Sequence, residues 1–185
     1  MFDVVDLSDQ VVGQETRSFV HERGYFHRAV HIMIERPSGY WVLQQRASTK
    51  DLDPFLWTST CSGHVDAGES YLDAAVRECM EELSIKVKKD SFKEIFRCSP
   101  CKETGNEFVR VYKLFYEREI VFNPLEINRI KNFTFLEMKE FIENFSDEVS
   151  LSLRHLFAYV LLRLGRHYLK CLNRPVSSVL YRQKY

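Results

Sequence analysis

Residues 63–85 read GHVDAGESYLDAAVRECMEELSI, from Gly63 to Ile85. Six acidic residues fall between Asp66 and Glu82, among neighbours that are largely apolar. Carboxylates crowded in such a setting are costly unless a cation collects them. The pattern predicts a loop, a helix and a loop. Ser70 is placed to cap the helix, and Asp73 three residues later completes a capping-box pattern. Leu72, Ala75, Val76, Cys79, Met80 and Leu83 recur at the three-and-four spacing of a buried stripe. Glu78, Glu81 and Glu82 stand about one turn apart on the opposite face. Like charges so placed destabilise a helix by a few tenths of a kcal/mol per pair, roughly. Arg77 is the only cation inside the helix.

A hard cation reverses the sign of that repulsion. Mg²⁺ prefers oxygen ligands, keeps several waters, and is held by a few carboxylates together with substrate phosphates. The arrangement therefore suits metal-assisted attack of water on phosphorus, with one carboxylate as general base. Acidic helix faces are common on protein surfaces. The fixed offsets from Gly63 to Glu69 to Arg77 distinguish this one.

With those offsets the segment resembles the Nudix box: Gly, five residues, Glu, seven residues, Arg-Glu, an apolar residue, any residue, Glu-Glu, any residue, Gly, apolar. The chain matches at Gly63, Glu69, Arg77, Glu78, Cys79, Glu81, Glu82 and Ile85. It departs at Ser84, where the family has a Gly that ends the helix in a left-handed turn. The resemblance implies an α/β fold, an α/β/α sandwich with a mixed sheet and a C-terminal helix. It implies Glu78, Glu81 and Glu82 as ligands of Mg²⁺ or Mn²⁺, with one of them as base, and the carbonyl of Ser62 as a backbone ligand. Arg77 would brace Glu69 against the helix. The substrate would be a small-molecule diphosphate, with no nucleic acid polymer as partner.

The flanks, GYFHRAVHIMI and LQQRASTKDLDPFLWTSTCSGHVDAGE, resemble the isopentenyl-diphosphate isomerase-like branch, which holds isomerases and a larger set of hydrolases. By that resemblance Arg46 and Lys50 would contact the diphosphate. His27 and His64 would be metal ligands or substrate contacts. Glu107 would be a further metal-binding or catalytic carboxylate. The isomerases use a Cys where this chain has Ser62. Cys61 is adjacent, but neighbouring strand residues point to opposite faces. Gly105 stands where the isomerases have a second Glu, and His21 lies one residue from the place expected of another His. The intact box and the displaced thiol favour hydrolysis. An isomerase and a diphosphate-binding protein without turnover are the alternatives.

At 185 residues, 45% hydrophobic and 14% aromatic, the chain is long enough to bury its own core. The expected organisation is one domain over 1–172, including the C-terminal helix, and a mobile basic tail over 173–185. No apolar run is long enough to span a membrane, and no secretory signal opens the chain. The five Cys show no framework spacing, which points to reduced thiols and a cytoplasmic location. Cys98 and Cys101 form a lone CxxC without a second pair, so the spacing is taken as incidental. None of the 26 acidic residues lies after residue 150, but seven basic residues do, giving −7 before that point and +7 after it. Such asymmetry suits a tail packed on its own acidic domain, or on that of a second copy in a homodimer.

The remaining pattern gives an opening strand at 2–7, a short helix or arm at 16–22, and a hairpin of 28–35 with 40–45. A polar loop carries Lys50, and a short strand at 57–61 feeds the box. A strand region begins at 85–87. A second hairpin pairs 92–97 with 107–116. A last strand is expected at 133–136, then helices at 137–144 and 151–172, the latter with a kink at Gly165. Trp41, Phe55, Tyr112 and Phe115 are read as core residues rather than stacking groups.

Overall fold

The computed structural model describes the backbone of residues 1–172 and the side chains of residues 1–165. The expected tail at 173–185 lies outside the described residues. The chain begins with a ribbon of β1 (Phe2–Val5) and β2 (Val11–Glu15). The tight turn between them is held by Asp6 Oδ1, which accepts from the N–H groups of Ser8 and Gln10 at 2.8 and 3.0 Å. The second strand was not expected: its residues are mostly exposed, so no buried face imposes the period-two signal. Helix α1 (Arg17–Arg23) is capped by Thr16 and closed by Gly24 at φ 63°, a left-handed turn that suits glycine.

Next come β3 (His27–Glu35), β4 (Trp41–Arg46), β5 (Trp57–Thr58) and β6 (Cys61–His64). The box helix α2 (Tyr71–Leu83) follows, then β7 (Phe92–Cys98), β8 (Glu107–Phe115) and β9 (Ile127–Phe133). Helices α3 (Phe135–Asn144) and α4 (Leu151–Leu172) end the described chain, and α4 runs through Gly165 without interruption.

The sheet is mixed, as expected. β3 runs parallel to β8 along its whole length, and β7 pairs antiparallel with β8. Along its other edge β3 meets β4 only at Ile34 and Glu35, then parts from it. β6 fills the vacated edge of β3, while β5 and β9 pair with β4. The Thr60 hydroxyl mends the split: it accepts from Ile34 N–H at 2.9 Å and donates to the Val42 carbonyl. Alternation along β3 sorts the core. Val30, Ile32 and Ile34 pack with Cys61, Ala75, Cys79 and Leu83 under α2. Ala29 and Met33 pack with Trp41, Phe157 and Val160 under α3 and α4.

Four sequence expectations change. The stretch 85–87 is not a strand; Ile85 instead closes the helix end, its N–H reaching the Cys79 carbonyl at 3.0 Å. The last strand lies at Ile127–Phe133 rather than 133–136, because Thr134 caps α3 in a capping box with Glu137. The inner stripe of α2 is Tyr71, Ala74, Ala75, Cys79 and Leu83, with Glu82 buried beside it and Met80 45% exposed. Trp41 and Tyr112 are core residues, but Phe55 and Phe115 are exposed.

Ser84 takes the left-handed conformation of the family's Gly, with φ 54° and ψ 28°. An L side chain there costs about 1 kcal/mol. Ser84→Gly should therefore raise the urea midpoint, by about 0.5–1 kcal/mol of unfolding free energy after the extra chain entropy of Gly is offset. An unchanged or lower midpoint would show that the turn carries no such strain.

Candidate active site

A cavity of about 950 Å³ opens at the edge where β3 and β4 diverge. α2 supplies Glu78, Glu81 and Glu82, and β6 supplies Ser62, Gly63 and His64. Arg46, Lys50 and Glu107 also line it, as does Glu126, which the sequence did not single out.

Arg77 organises the acidic wall. Its Nε and Nη2 donate to the two oxygens of Glu69 at 3.1 and 3.0 Å, and Nη2 also donates to the His64 carbonyl at 2.8 Å. Nη1 donates to Glu78 at 2.6 Å and to Glu81 at 3.1 Å. Glu69 also accepts from the Asp66 N–H at 3.1 Å, which closes the loop before the helix. Gly63 is required by close approach: a Cβ built there would overlap the Glu78 carboxylate. Glu82 lies deepest at 5% exposure, accepting from Gln44 Nε2 at 3.2 Å.

Burial pushes the Glu78 carboxyl up to about 7, against the pull of Arg77. Burial, then the neighbouring Glu78 charge, pushes Glu82 up to about 8. Glu81 is 57% exposed and stands at the rim. Glu126 adds a further negative charge facing Glu78 and Glu82, and it pairs with Lys50. Arg46 turns its Nε to the Leu52 carbonyl at 2.9 Å, folding the loop that carries Lys50. Buried, crowded carboxylates with a side-chain-free glycine beside them fit a hard divalent cation.

A second group lies on the other face of β6. His27 and Glu107 are register partners on β3 and β8. His64 Nε2 is 3.0 Å from Glu107 Oε1, and His27 Nε2 is 3.5 Å from the same oxygen. Phe2 stacks on both imidazoles, with ring centroids 5.8 and 4.6 Å away. His21, from the end of α1, stands edge-on to them at 4.9 and 5.1 Å. It reaches them although its place in the sequence is one residue from the one expected. Gly105, where a carboxylate was sought, instead makes a left-handed turn at φ 68° leading into β8.

One ligand atom from each of His21, His27 and His64 falls within 4.8 Å of the others; among the described residues the box carboxylates form no cluster that tight. His27 Nδ1 donates to the Tyr25 carbonyl at 2.9 Å, which turns Nε2 toward Glu107. Nε2 of His27 and Nε2 of His21 are buried without a hydrogen-bond partner. Three imidazoles this close, two of them with an unsatisfied buried nitrogen, fit a cation bound by imidazole. Burial, then the charges of His64 and His27, lowers His21 to about 4. Burial alone would raise Glu107, but His27 and His64 overcome it and hold Glu107 well below the usual carboxylate range.

Cys61 is fully buried beneath α2 with Cys79, and burial raises its thiol well above the ordinary value. It does not line the cavity; Ser62 does.

Fold and site together define a Nudix protein. Residues 25–153 match the family model for the NUDIX domain, and the chain belongs to that family. It is 39% identical over 119 residues to Nudix hydrolase 3 of Arabidopsis thaliana, covering 60% of this chain and 15% of that one. It is 40% identical over 88 residues to the isopentenyl-diphosphate Delta-isomerase of Serratia proteamaculans, covering 48% of this chain and 49% of that one. The chain thus spans half or less of the length of both relatives. The crystal structure of DR0079 from Deinococcus radiodurans superposes with a TM-score of 0.71 at 25% identity, covering 84% of this chain and 95% of that one.

The raised carboxyls make stability depend on pH. Both folded values exceed the unfolded value of 4.5, so the stability they contribute is full below that pH and is lost as pH rises through about 7 and about 8. The lowered His21 and His31 act oppositely, but only below 6.5. The metal-free protein should therefore melt several degrees lower at about pH 8.5 than at about pH 6.5, and saturating Mg²⁺ should flatten the decline. A melting temperature that rises across this window would contradict the assigned burial. Gly63→Ala should displace Glu78 from Arg77 and cost about 1–3 kcal/mol in denaturant unfolding. A neutral result would mean that the close approach is not needed.

Proposed function

We propose that this chain hydrolyses a diphosphate attached to an organic group, using divalent metal held at the box carboxylates. What supports this most is the placement of Glu78 and Glu82, 12% and 5% exposed, on one cavity wall beside Glu81 and Glu126. Glu78, Glu81 and Glu82, with the Ser62 carbonyl, would hold Mg²⁺ or Mn²⁺. Such an ion, when bound, offsets charge on phosphoryl oxygens and acidifies a water. Of the box carboxylates, one not engaged by the ion would take a proton from the attacking water. Glu107 is held too acidic to be a good base; its role would be to orient His64 and His27. Arg46 and Lys50 line the same cavity and would meet the diphosphate charge. Lys50 would exchange Glu126 for substrate.

The cluster of His21, His27, His64 and Glu107 favours a second reading, an isomerase of prenyl diphosphates. The position of Cys61 weighs against it, because among the described residues no thiol lines the cavity where protonation of carbon would need one.

A phosphorus-NMR screen of nucleoside, sugar, coenzyme and prenyl diphosphates with Mg²⁺ or Mn²⁺ should show phosphate or phosphomonoester release. Glu82→Gln should cut turnover on the responding compound by about 100-fold or more, with a melting temperature no lower than that of the wild type. Full activity in that variant would remove the box from the mechanism. Uptake of solvent deuterium into isopentenyl diphosphate, with no phosphate released from any compound, would move the assignment to the isomerase.

A further inference from the structure

Outside the cavity's histidine cluster, one other group of three metal-ligating side chains closes within 4.8 Å among the described residues: Cys98, Cys101 and His155. The CxxC looked incidental because its third member lies far along the sequence. His155 comes from the first turns of α4, 57 residues after Cys98 and 54 after Cys101.

The geometry points to a tetrahedral zinc site. We propose that Cys98, Cys101 and His155 bind one Zn²⁺, with the Glu103 carboxylate or a water as fourth ligand, and that the ion clamps the 98–106 loop to α4. His155 Nε2 lies 3.7 Å from Cys98 Sγ and 3.5 Å from Cys101 Sγ. With Zn–S near 2.3 Å and Zn–N near 2.0–2.1 Å, a regular tetrahedron has S···N edges of about 3.6 Å. Both S···N pairs already stand at that separation, and the two sulfurs lie within 4.8 Å of each other. Hydrogen bonding accounts for the arrangement less well, since one ring nitrogen has a single in-plane proton or lone pair to offer two sulfurs.

Glu103 is exposed at the loop tip. It stands two residues beyond Cys101 in the same loop. Thiolate and imidazole together select zinc over the hard cations that suit the box. Coordination by two thiolates displaces two thiol protons to solvent.

The site would act on the cavity without touching the reacting groups. Glu103, Thr104 and Gly105 belong to the clamped loop and line the cavity, as do Leu151 and Ser152 at the start of α4. Glu107 begins β8 two residues beyond Gly105. Fixing the loop to the helix would hold one wall of the cavity and the strand that presents Glu107.

The test uses the full chain, purified under reducing conditions, with Co²⁺ as a spectroscopic probe, because charge-transfer absorption reports thiolate coordination and ignores the histidine cluster and the box. One equivalent of Co²⁺ should give that band together with tetrahedral d–d bands, and Zn²⁺ should displace both. His155→Ala should weaken Co²⁺ binding by about tenfold or more. Cys98→Ser with Cys101→Ser should abolish the band and keep the circular dichroism of the wild type. His27→Asn should leave the band in place. Zn²⁺ should also slow amide exchange over residues 99–106 in the wild type only. No thiolate band in the reduced protein, or a band that survives loss of both cysteines, overturns the site. A Cys98–Cys101 disulfide that reduction does not convert to a Co²⁺-binding form overturns it as well. Exchange that is unchanged by Zn²⁺ overturns the clamp.

Discussion

The Arg77 guanidinium is the contact on which the acidic wall depends. It joins the loop before α2, through Glu69 and the His64 carbonyl, to the helix itself, through Glu78 and Glu81. Two unit charges 4 Å apart interact by about 4 kcal/mol at an effective dielectric constant of 20. Unscreened, the carboxylates of the box would drive the helix and the loop apart. A planar group with five donors can hold the Glu69 carboxylate with two of them and still serve three other acceptors. A lysine, as a single point charge, could not fix the same angles. Gly63 belongs to the same device, since the space its absent side chain leaves is where the Glu78 carboxylate sits.

That wall would be an ordinary acidic surface if the sheet were regular. β3 and β4 share only two register pairs before they part, and the gap lets groups from both faces of β6 reach one cavity. Gly63 and Cys61 face α2; Ser62 and His64 face the opposite way, toward Glu107. The α2 carboxylates therefore collect on one side of the strand, and the imidazoles, with Glu107, on the other. Hard and borderline cations would be sorted by that separation. Thr60, satisfying Ile34 and Val42 at once, keeps the split from leaving buried backbone groups unpaired.

The box helix and its cap at Ser70 were legible in the sequence, because each rests on short fixed spacings, and the partnership of Arg77 with Glu69 followed from the family resemblance those spacings carry. The parallel pairing of β3 with β8 was not, since strand order depends on contacts between segments that no local period records. β2 and β9 escaped for a related reason: both are largely exposed, and an exposed strand shows no alternation. Glu126 and His155 are the residues the sequence concealed. Each is an ordinary polar side chain until tertiary packing sets it beside a distant partner. His21 was visible but offset by one residue, and only the packing of α1 against β3 and β6 brings it to the other two imidazoles.

The parity of β6 bears on which chemistry the scaffold can host. Adjacent strand residues differ by half a turn, so moving a thiol from position 62 to position 61 takes it out of the cavity and into the core beneath α2. Burial there keeps it protonated and out of reach of a substrate carbon. The same step leaves a small hydroxyl at Ser62, facing the histidines, and does not disturb Gly63 or its contact with Glu78. Loss of the isomerase thiol therefore costs the metal wall nothing. Either chemistry would draw on Arg46, Lys50 and the imidazole cluster, and the two would differ in what one short edge strand turns toward the cavity. With every carboxylate of the box retained and the Cys61 thiol turned inward, the proposed hydrolysis would keep its acidic wall, while β6 turns no thiol toward the cavity.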